Sequence, residues 1–166
     1  MNPNILQIST PTDTTIVLTR AFNAPRRLVW EAMFTPARMR RWMLPPPGLT
    51  LTTCECEARQ GGALSLAWKS QDADPAMTLQ GVFTEVVLHE WAIHTEKMAL
   101  GTGEAIGSLV EKHAFTEQDG VTTMRITQTY GSKEDREGAL ASGMDEGREA
   151  CYVQLEKLLA SLRQPA

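Results

Sequence analysis

The chain has 166 residues, of which 42% are apolar and 22% are charged, and its formal net charge is −4. This length suits one domain, and the composition is that of an ordinary globular protein, which excludes an intrinsically disordered chain. The acidic balance argues against nucleic-acid binding, because a phosphate backbone attracts basic surfaces.

The location of the protein can also be predicted from composition. No stretch is apolar enough to span a membrane, and the first residues carry neither the basic segment nor the long apolar segment of a secretory signal. Three cysteines are too few for a disulfide framework. We therefore expect a cytoplasmic protein with reduced thiols that does not associate with a membrane.

The predicted elements begin after a flexible polar leader, residues 1–12, which has two prolines and no periodicity. Residues 14–22 are rich in β-branched and aromatic side chains, which predicts a strand. Two short helices follow. The first begins at Asn23-Ala24-Pro25, where Asn23 is expected to cap it, and the second begins at Thr35-Pro36 and ends before the proline run 45–47.

The middle of the chain predicts six strands. They are residues 49–57, 63–69, 77–87, 91–98, 109–116 and 121–130. Gly61 and Gly62 supply a tight turn, Asp119-Gly120 supplies a hairpin turn, and the glycine-rich stretch 99–108 predicts a flexible connection. Short connections between neighbouring strands indicate an antiparallel sheet.

The last third is predicted to be helical, with Ser132 and Ser142 capping a short helix, 133–141, and a long helix, 143–162. Small and apolar residues form one stripe on the long helix: Met144, Gly147, Cys151, Leu155, Leu158 and Leu162. Residues 13–163 are therefore predicted as a single α+β domain. A curved antiparallel sheet of about seven strands wraps the C-terminal helix, and two short helices follow the first strand.

Several segments along the chain carry a family resemblance. They are Ala24–Trp30, Thr35-Pro36, Arg41-Trp42, Arg59–Gly62, Gly81–Val86, Gln128–Tyr130 and Ala141–Gly147. Together they resemble the activator of heat-shock protein 90 ATPase homologue-like family over about residues 14–162. The resemblance implies the helix-grip fold of the START-like (SRPBCC) superfamily, whose members hold small, mostly apolar ligands between the sheet and the long helix.

The chain departs from the family's pattern at two positions. Arg148 stands where the family usually has a tryptophan, and Met43 follows Trp42 where the family often has a second tryptophan. Both positions are expected near the mouth or the core of the cavity that the resemblance implies.

Four ionisable residues share the inward parity of two predicted strands. Alternation places His94 and Glu96 on one face of their strand, and Glu111 and His113 on one face of the next. The resemblance implies that these faces look inward, because the family has apolar residues at the positions of His94, His113 and Phe115. A symmetric hairpin would set His94 opposite His113 and Glu96 opposite Glu111, about 5 Å apart at Cβ.

These two imidazoles and two carboxylates allow three interpretations. They could bind a divalent metal ion, act as an acid–base pair on a bound ligand, or face solvent on a polar sheet surface. Cys54, Cys56 and Cys151 offer a weaker metal alternative, since buried thiols are ordinary small core residues. The sequence has no nucleophile elbow or phosphate-binding loop, and it predicts no cofactor.

The leading functional hypothesis is a protein that binds a small apolar or amphipathic ligand in a cavity between the sheet and the long helix. The predicted lining combines strand faces with the helix stripe: Leu64, Leu66, Trp68, His94, Glu96, Glu111, His113, Met124, Ile126, Met144, Cys151 and Leu155. One alternative is an enzyme that uses the same cavity for acid–base or metal-assisted chemistry. Another is a chaperone partner, implied by the family's name. A homodimer is left open.

Overall fold

The computed structural model describes residues 2–163. Its elements, in chain order, are β1 (Gln7–Ser9), β2 (Thr15–Phe22), α1 (Arg26–Phe34), α2 (Pro36–Trp42), β3 (Thr50–Cys56), β4 (Ala63–Lys69), β5 (Met77–Val87), β6 (Trp91–Leu100), β7 (Ala105–Gln118), β8 (Val121–Tyr130), α3 (Lys133–Ala141) and α4 (Met144–Arg163). The predicted α+β layout is confirmed, with two short helices after the first long strand and a long helix at the C-terminal end.

All eight strands form one antiparallel sheet in the order β1-β2-β8-β7-β6-β5-β4-β3. After β2 the chain leaves the sheet through α1 and α2 and returns at the far edge as β3. From β3 to β8 each strand pairs with the next one in sequence, as expected for strands joined by short connections.

The helix α4 buries one side against the core that lies on the inner face of the sheet. Its buried residues are Tyr152, Leu155, Leu158 and Leu159, which lie on one side of the helix. The predicted stripe is correct at Leu155 and Leu158, whereas Met144, Cys151 and Leu162 are half-buried and Gly147 is exposed. Of the helices within residues 2–163, none has the length and apolar character needed to cross a membrane.

The sheet is larger than the sequence predicts. An eighth strand, β1, lies within the segment expected to be a loose leader, and Ile8 pairs with Leu18. The predicted connection 99–108 is also shorter, because β6 continues to Leu100 and β7 begins at Ala105. Glycine and alanine lower strand propensity there, but pairing between the strands satisfies the backbone hydrogen bonds and overrides that preference.

The predicted Asn23 cap is wrong. Pro25 takes the N-cap position of α1, and the backbone N–H of Arg26 donates instead to the Glu117 carboxylate, 2.7 Å away. The helix therefore begins three residues after Asn23, too far along the chain for the Asn23 side chain to act as the cap.

The two predicted serine caps have different outcomes. Ser132 caps α3 and accepts a hydrogen bond from the Asp135 N–H at 3.1 Å, as expected. The Ser142 hydroxyl turns back and donates to the Ala139 carbonyl at 2.6 Å, so it serves the end of α3 rather than the start of α4. A serine between two helices can accept a hydrogen bond from the first turn of the second helix or donate one to the last carbonyl groups of the first. Here the Ser142 hydroxyl donates to the first helix.

Candidate functional site

A group of polar side chains lies between the inner face of the sheet and α4, inside the otherwise apolar core. We call it the buried polar cluster. Its members are His94 and Glu96 on β6, Glu111 and His113 on β7, Gln128 and Tyr130 on β8, and Arg148 and Tyr152 on α4. All but Arg148 are buried, and Arg148 has about a quarter of its side chain exposed (26%).

The register between β6 and β7 differs from the predicted one. His94 pairs with Glu111 rather than with His113, and Glu96 pairs with Leu109 rather than with Glu111. The symmetric hairpin is wrong because the turn is centred on residue 102, earlier than the predicted pairing requires, and a one-residue irregularity between Met98 and Ala99 brings the final difference to two residues. A shift of two residues leaves every side chain on its original face, so the four ionisable residues still meet inside.

Glu111 is the centre of the cluster. Its Oε1 atom lies 2.7 Å from His113 Nε2, and its Oε2 atom accepts hydrogen bonds from Gln128 at 2.7 Å and from Arg148 at 2.9 Å. Burial by itself raises the pKa of Glu111, but the Arg148 guanidinium and the hydrogen bond with His113 hold that pKa well below its ordinary value. Glu111 is therefore a buried carboxylate that stays ionised.

Two tyrosines extend this network. The Tyr130 hydroxyl donates to Gln128 Oε1 at 3.0 Å, which orients the Gln128 amide so that its nitrogen faces Glu111. On the helix side, Arg148 donates to the Tyr152 hydroxyl oxygen at 3.1 Å. Burial raises the pKa of Tyr130 to about 12, so this tyrosine remains a neutral donor. The Glu111 half of the cluster thus has most of its hydrogen-bonding capacity used.

The other half, His94 and Glu96, is far less saturated. His94 lies between two carboxylates, with Nδ1 3.7 Å from Glu96 Oε1 and Nε2 3.9 Å from Glu111 Oε1. Within residues 2–163 neither His94 Nε2 nor the Glu96 carboxyl group makes a hydrogen bond, and His94 Nδ1 has a long contact of 3.4 Å with the Thr95 carbonyl. Burial lowers the pKa of His94 to about 4, while burial and the charge of Glu111 raise the pKa of Glu96 to about 8.

Aromatic rings surround the histidines. The His94 and His113 rings are stacked, with centroids 5.5 Å apart. Phe83 meets His94 edge to face at 5.2 Å, and Phe34 meets His113 in the same way at 5.4 Å. The polar atoms of the cluster therefore adjoin an apolar wall.

The apolar residues predicted to line the cavity lie in the same core. Those that are buried are Leu64, Leu66, Trp68, Met124, Ile126 and Leu155. Met144 and Cys151 are half-buried and pack against that core. Their role in ligand binding stays a prediction.

Sequence reasoning missed three members of the cluster, Gln128, Tyr130 and Tyr152. It placed Arg148 near the mouth or the core of the cavity but did not predict its ion pair with Glu111. Alternation from Ile126 would have placed Gln128 and Tyr130 on the inner face of their strand. Helical spacing of four residues would have aligned Arg148 with Tyr152. The stripe on α4 was drawn through apolar residues only, which is why the arginine was left out.

Two open hollows on the surface lie away from the cluster. One, with a volume of about 270 Å³, is lined by Leu6, Ile8, Asp145, Glu146 and Glu149. The other, of about 210 Å³, is lined by Arg41, Gln154, Lys157, Leu158 and Ser161. Neither contains a member of the cluster, so the interior cavity remains a prediction.

Comparison with known proteins identifies the family. The sequence profile of the family described as Activator of Hsp90 ATPase homolog 1-like protein matches residues 23–160. No curated protein matches the chain significantly.

Solved structures share the fold at low sequence identity. A protein from Rhodobacter sphaeroides is 23% identical, with a TM-score of 0.82 over 95% of this chain and 99% of that one. A Mycobacterium smegmatis protein is 23% identical, with a TM-score of 0.78 over 92% and 95% of the two chains. An Arthrobacter aurescens protein is 20% identical, with a TM-score of 0.77 over 96% and 92%. The chain belongs to the Activator of Hsp90 ATPase homolog 1-like family, and it has the helix-grip fold expected for it.

Proposed function

We propose that this protein binds a small, mostly apolar molecule between the inner face of the sheet and α4, with a polar group of that molecule directed at the buried polar cluster. The cluster is the observation that carries the proposal. Burial of ionisable side chains costs free energy, and apolar residues of similar size would stabilise the fold at least as well. Four such side chains, His94, Glu96, Glu111 and His113, at one interface therefore indicate a functional role.

The hydrogen bonds within the cluster suggest which of its members meet the ligand. Glu111 is satisfied by His113, Gln128 and Arg148, whereas His94 and Glu96 have unused hydrogen-bonding capacity. An imidazole and a carboxyl group can each donate or accept a hydrogen bond, so together they suit a hydroxyl or a carbonyl group.

The surroundings favour an apolar body for the same molecule. Phe83 contacts His94, and the buried leucines of β4 belong to the same apolar core. Met124 and Met144 add flexible thioethers that can adapt to an irregular shape. Since Arg148 is the member of the cluster that reaches solvent, we expect its side chain to move when a molecule enters.

A pair of probes that differ by one hydroxyl group tests this proposal. Naphthalene and 1-naphthol are titrated into the protein in the presence of EDTA, and binding is followed by calorimetry. We expect 1-naphthol to bind about two- to tenfold more tightly than naphthalene, which is the usual net contribution of one hydrogen bond. His94→Leu should abolish this preference, and His89→Leu, which changes a histidine outside the cluster, should keep it. Absence of saturable binding, or a preference that survives His94→Leu, would refute the proposal.

A specific geometric observation also favours an acid–base enzyme as a second candidate. The two ring nitrogens of His94 face Glu96 and Glu111 at 3.7 and 3.9 Å, which suits transfer of a proton to or from a bound carbonyl compound. The test is exchange of the α-protons of 2-tetralone in D₂O, followed by NMR. Faster exchange with the parent protein than with Glu96→Gln would support the enzyme, and equal rates would exclude Glu96 as its base. The chaperone partner implied by the family's name stays a prediction.

A further inference from the structure

We propose that His94, Glu111 and His113 form a binding site for one divalent transition-metal ion of the zinc class. This inference goes beyond the proposed function, because it requires no organic ligand and can be tested without one.

The three ligand atoms lie close enough together to share one ion. Each of the three residues offers one ligand atom, and the three atoms lie within 4.8 Å of one another. His113 Nε2 is 2.7 Å and His94 Nε2 is 3.9 Å from Glu111 Oε1. A tetrahedral zinc ion, with ligand bonds of about 2.0–2.2 Å, holds its ligand atoms roughly 3.4 Å apart. The observed distances lie on both sides of that value, so small side-chain movements would complete the site.

Hydrogen bonds hold the Glu111 carboxylate in a fixed orientation. Its Oε2 atom is held by Gln128 and Arg148, and the Gln128 amide is in turn oriented by Tyr130. This leaves Oε1 as the oxygen that faces the two imidazoles. Carboxylates that bind a metal through one oxygen are commonly held by hydrogen bonds in this way.

Glu96 lies behind the His94 ring, on the side away from Glu111. It lies 3.7 Å from His94 Nδ1, whereas Glu111 lies on the Nε2 side of the same ring. A histidine that binds a metal through one nitrogen usually has a carboxylate or carbonyl group at the other, which orients the ring and makes the ligand more basic. Glu96 is placed to serve His94 in this way.

His94 Nε2 has unused bonding capacity. His94 is 2% exposed, and among residues 2–163 its Nε2 has no hydrogen-bond partner, although it lies 3.9 Å from Glu111 Oε1. His113 already directs its Nε2 at the same oxygen, while its Nδ1, on the other side of the ring, has no partner within those residues. A metal ion would satisfy His94 Nε2, the atom that faces Glu111.

The charges around the site indicate the class of metal. Two imidazoles and one carboxylate suit zinc, cobalt or nickel, whereas magnesium and calcium prefer oxygen ligands alone. The Arg148 guanidinium opposes a dication, and the ionised Glu111 carboxylate, 2.9 Å from it, offsets that charge. We therefore expect binding that is selective for the zinc class.

The test uses the full chain, stripped of metal with EDTA and then freed of EDTA. Cobalt(II) is added while visible absorption is recorded, and zinc(II) binding is measured by calorimetry. We expect one cobalt per chain with the intense d–d bands of a low-coordinate site, displacement by zinc, and no displacement by magnesium. His94→Gln and His113→Gln should each weaken binding by at least about tenfold. His89→Gln alters the remaining one of the three histidines and should change nothing.

Three results would overturn the metal site. They are no stoichiometric cobalt or zinc binding by the parent, equal loss in His89→Gln, or unchanged binding in both cluster variants. Circular dichroism of the metal-free variants checks that each is folded. If the glutamine variants do not fold, the test uses Glu96→Gln in their place. This variant should bind zinc more weakly than the parent, and magnesium should still not displace cobalt from it. Because the naphthol titrations are made in EDTA, failure of either proposal leaves the other standing.

Discussion

Arg148 on α4 donates a hydrogen bond of 2.9 Å to Glu111 on β7, and so joins the C-terminal helix to the middle of the sheet. The family resemblance implies a tryptophan at this position, which would make the same connection by apolar packing. In this chain the connection is an ion pair, and the carboxylate side of it is buried.

We expect Arg148→Met to destabilise the protein by about 2 kcal/mol at neutral pH, because it leaves the Glu111 charge buried without its cation. The value is below the usual cost of breaking a buried pair, since Arg148 is a quarter exposed. Urea denaturation measures the change. The double variant Arg148→Met, Glu111→Gln should recover part of the loss, and strictly additive effects would contradict the ion pair.

Glu96 should make stability depend on pH. Burial and the Glu111 charge raise its pKa from 4.5 to about 8, so the folded state binds this proton more tightly than the unfolded state. The resulting stability is fully present below the unfolded pKa and is lost as pH rises through about 8. Glu96→Gln should therefore gain stability relative to the parent between these two pKa values and above. Urea denaturation in EDTA across this pH range measures the difference in free energy of unfolding between Glu96→Gln and the parent. The control is Glu104→Gln, which changes an exposed residue and should show no gain in stability as pH rises.

Substitution of either glycine in the Gly61–Gly62 turn should destabilise the protein, for a different reason at each position. Gly61 has a φ of +81° in open space, so an added Cβ strains only the backbone, at about 1–2 kcal/mol. A Cβ on Gly62 would lie 1.9 Å from the Glu57 carbonyl oxygen, which forces the turn apart. The melting temperature of Gly62→Ala should be lower than that of Gly61→Ala, and the melting temperature of Gly61→Asn should be closest to that of the parent. The reverse order would contradict this turn geometry.

The helix caps provide a matched pair of variants. Ser132→Ala removes the acceptor for the Asp135 N–H and should cost about 1 kcal/mol. Asn23→Ala should have little effect, because Pro25 rather than Asn23 stands at the start of α1. Chemical denaturation distinguishes the two, and an Asn23→Ala loss as large as that of Ser132→Ala would restore the predicted cap.

The faces of the strands could be predicted from sequence, but their register could not. Alternation places His94 and His113 on one face of each strand, because side chains change sides at every residue, and the family resemblance implies that these faces look inward. Which residue lies opposite which depends on the turn and on an irregularity beside it, and neither has a local sequence pattern. The role of Arg148 is harder still, because it appears only when α4 is set against β7, 37 residues apart in the chain.

The pairing of β2 with β8 joins distant parts of the chain, with Thr15 opposite Thr129 and Phe22 opposite Thr122. The strands from β3 to β8, in contrast, are neighbours both in sequence and in the sheet. Closing a long loop costs more conformational entropy than closing a short turn, so non-local pairing forms more slowly. We expect the meander that carries His94 and Glu111 to form first during folding. The docking of β2 and α4 then seals these side chains from water as the last step.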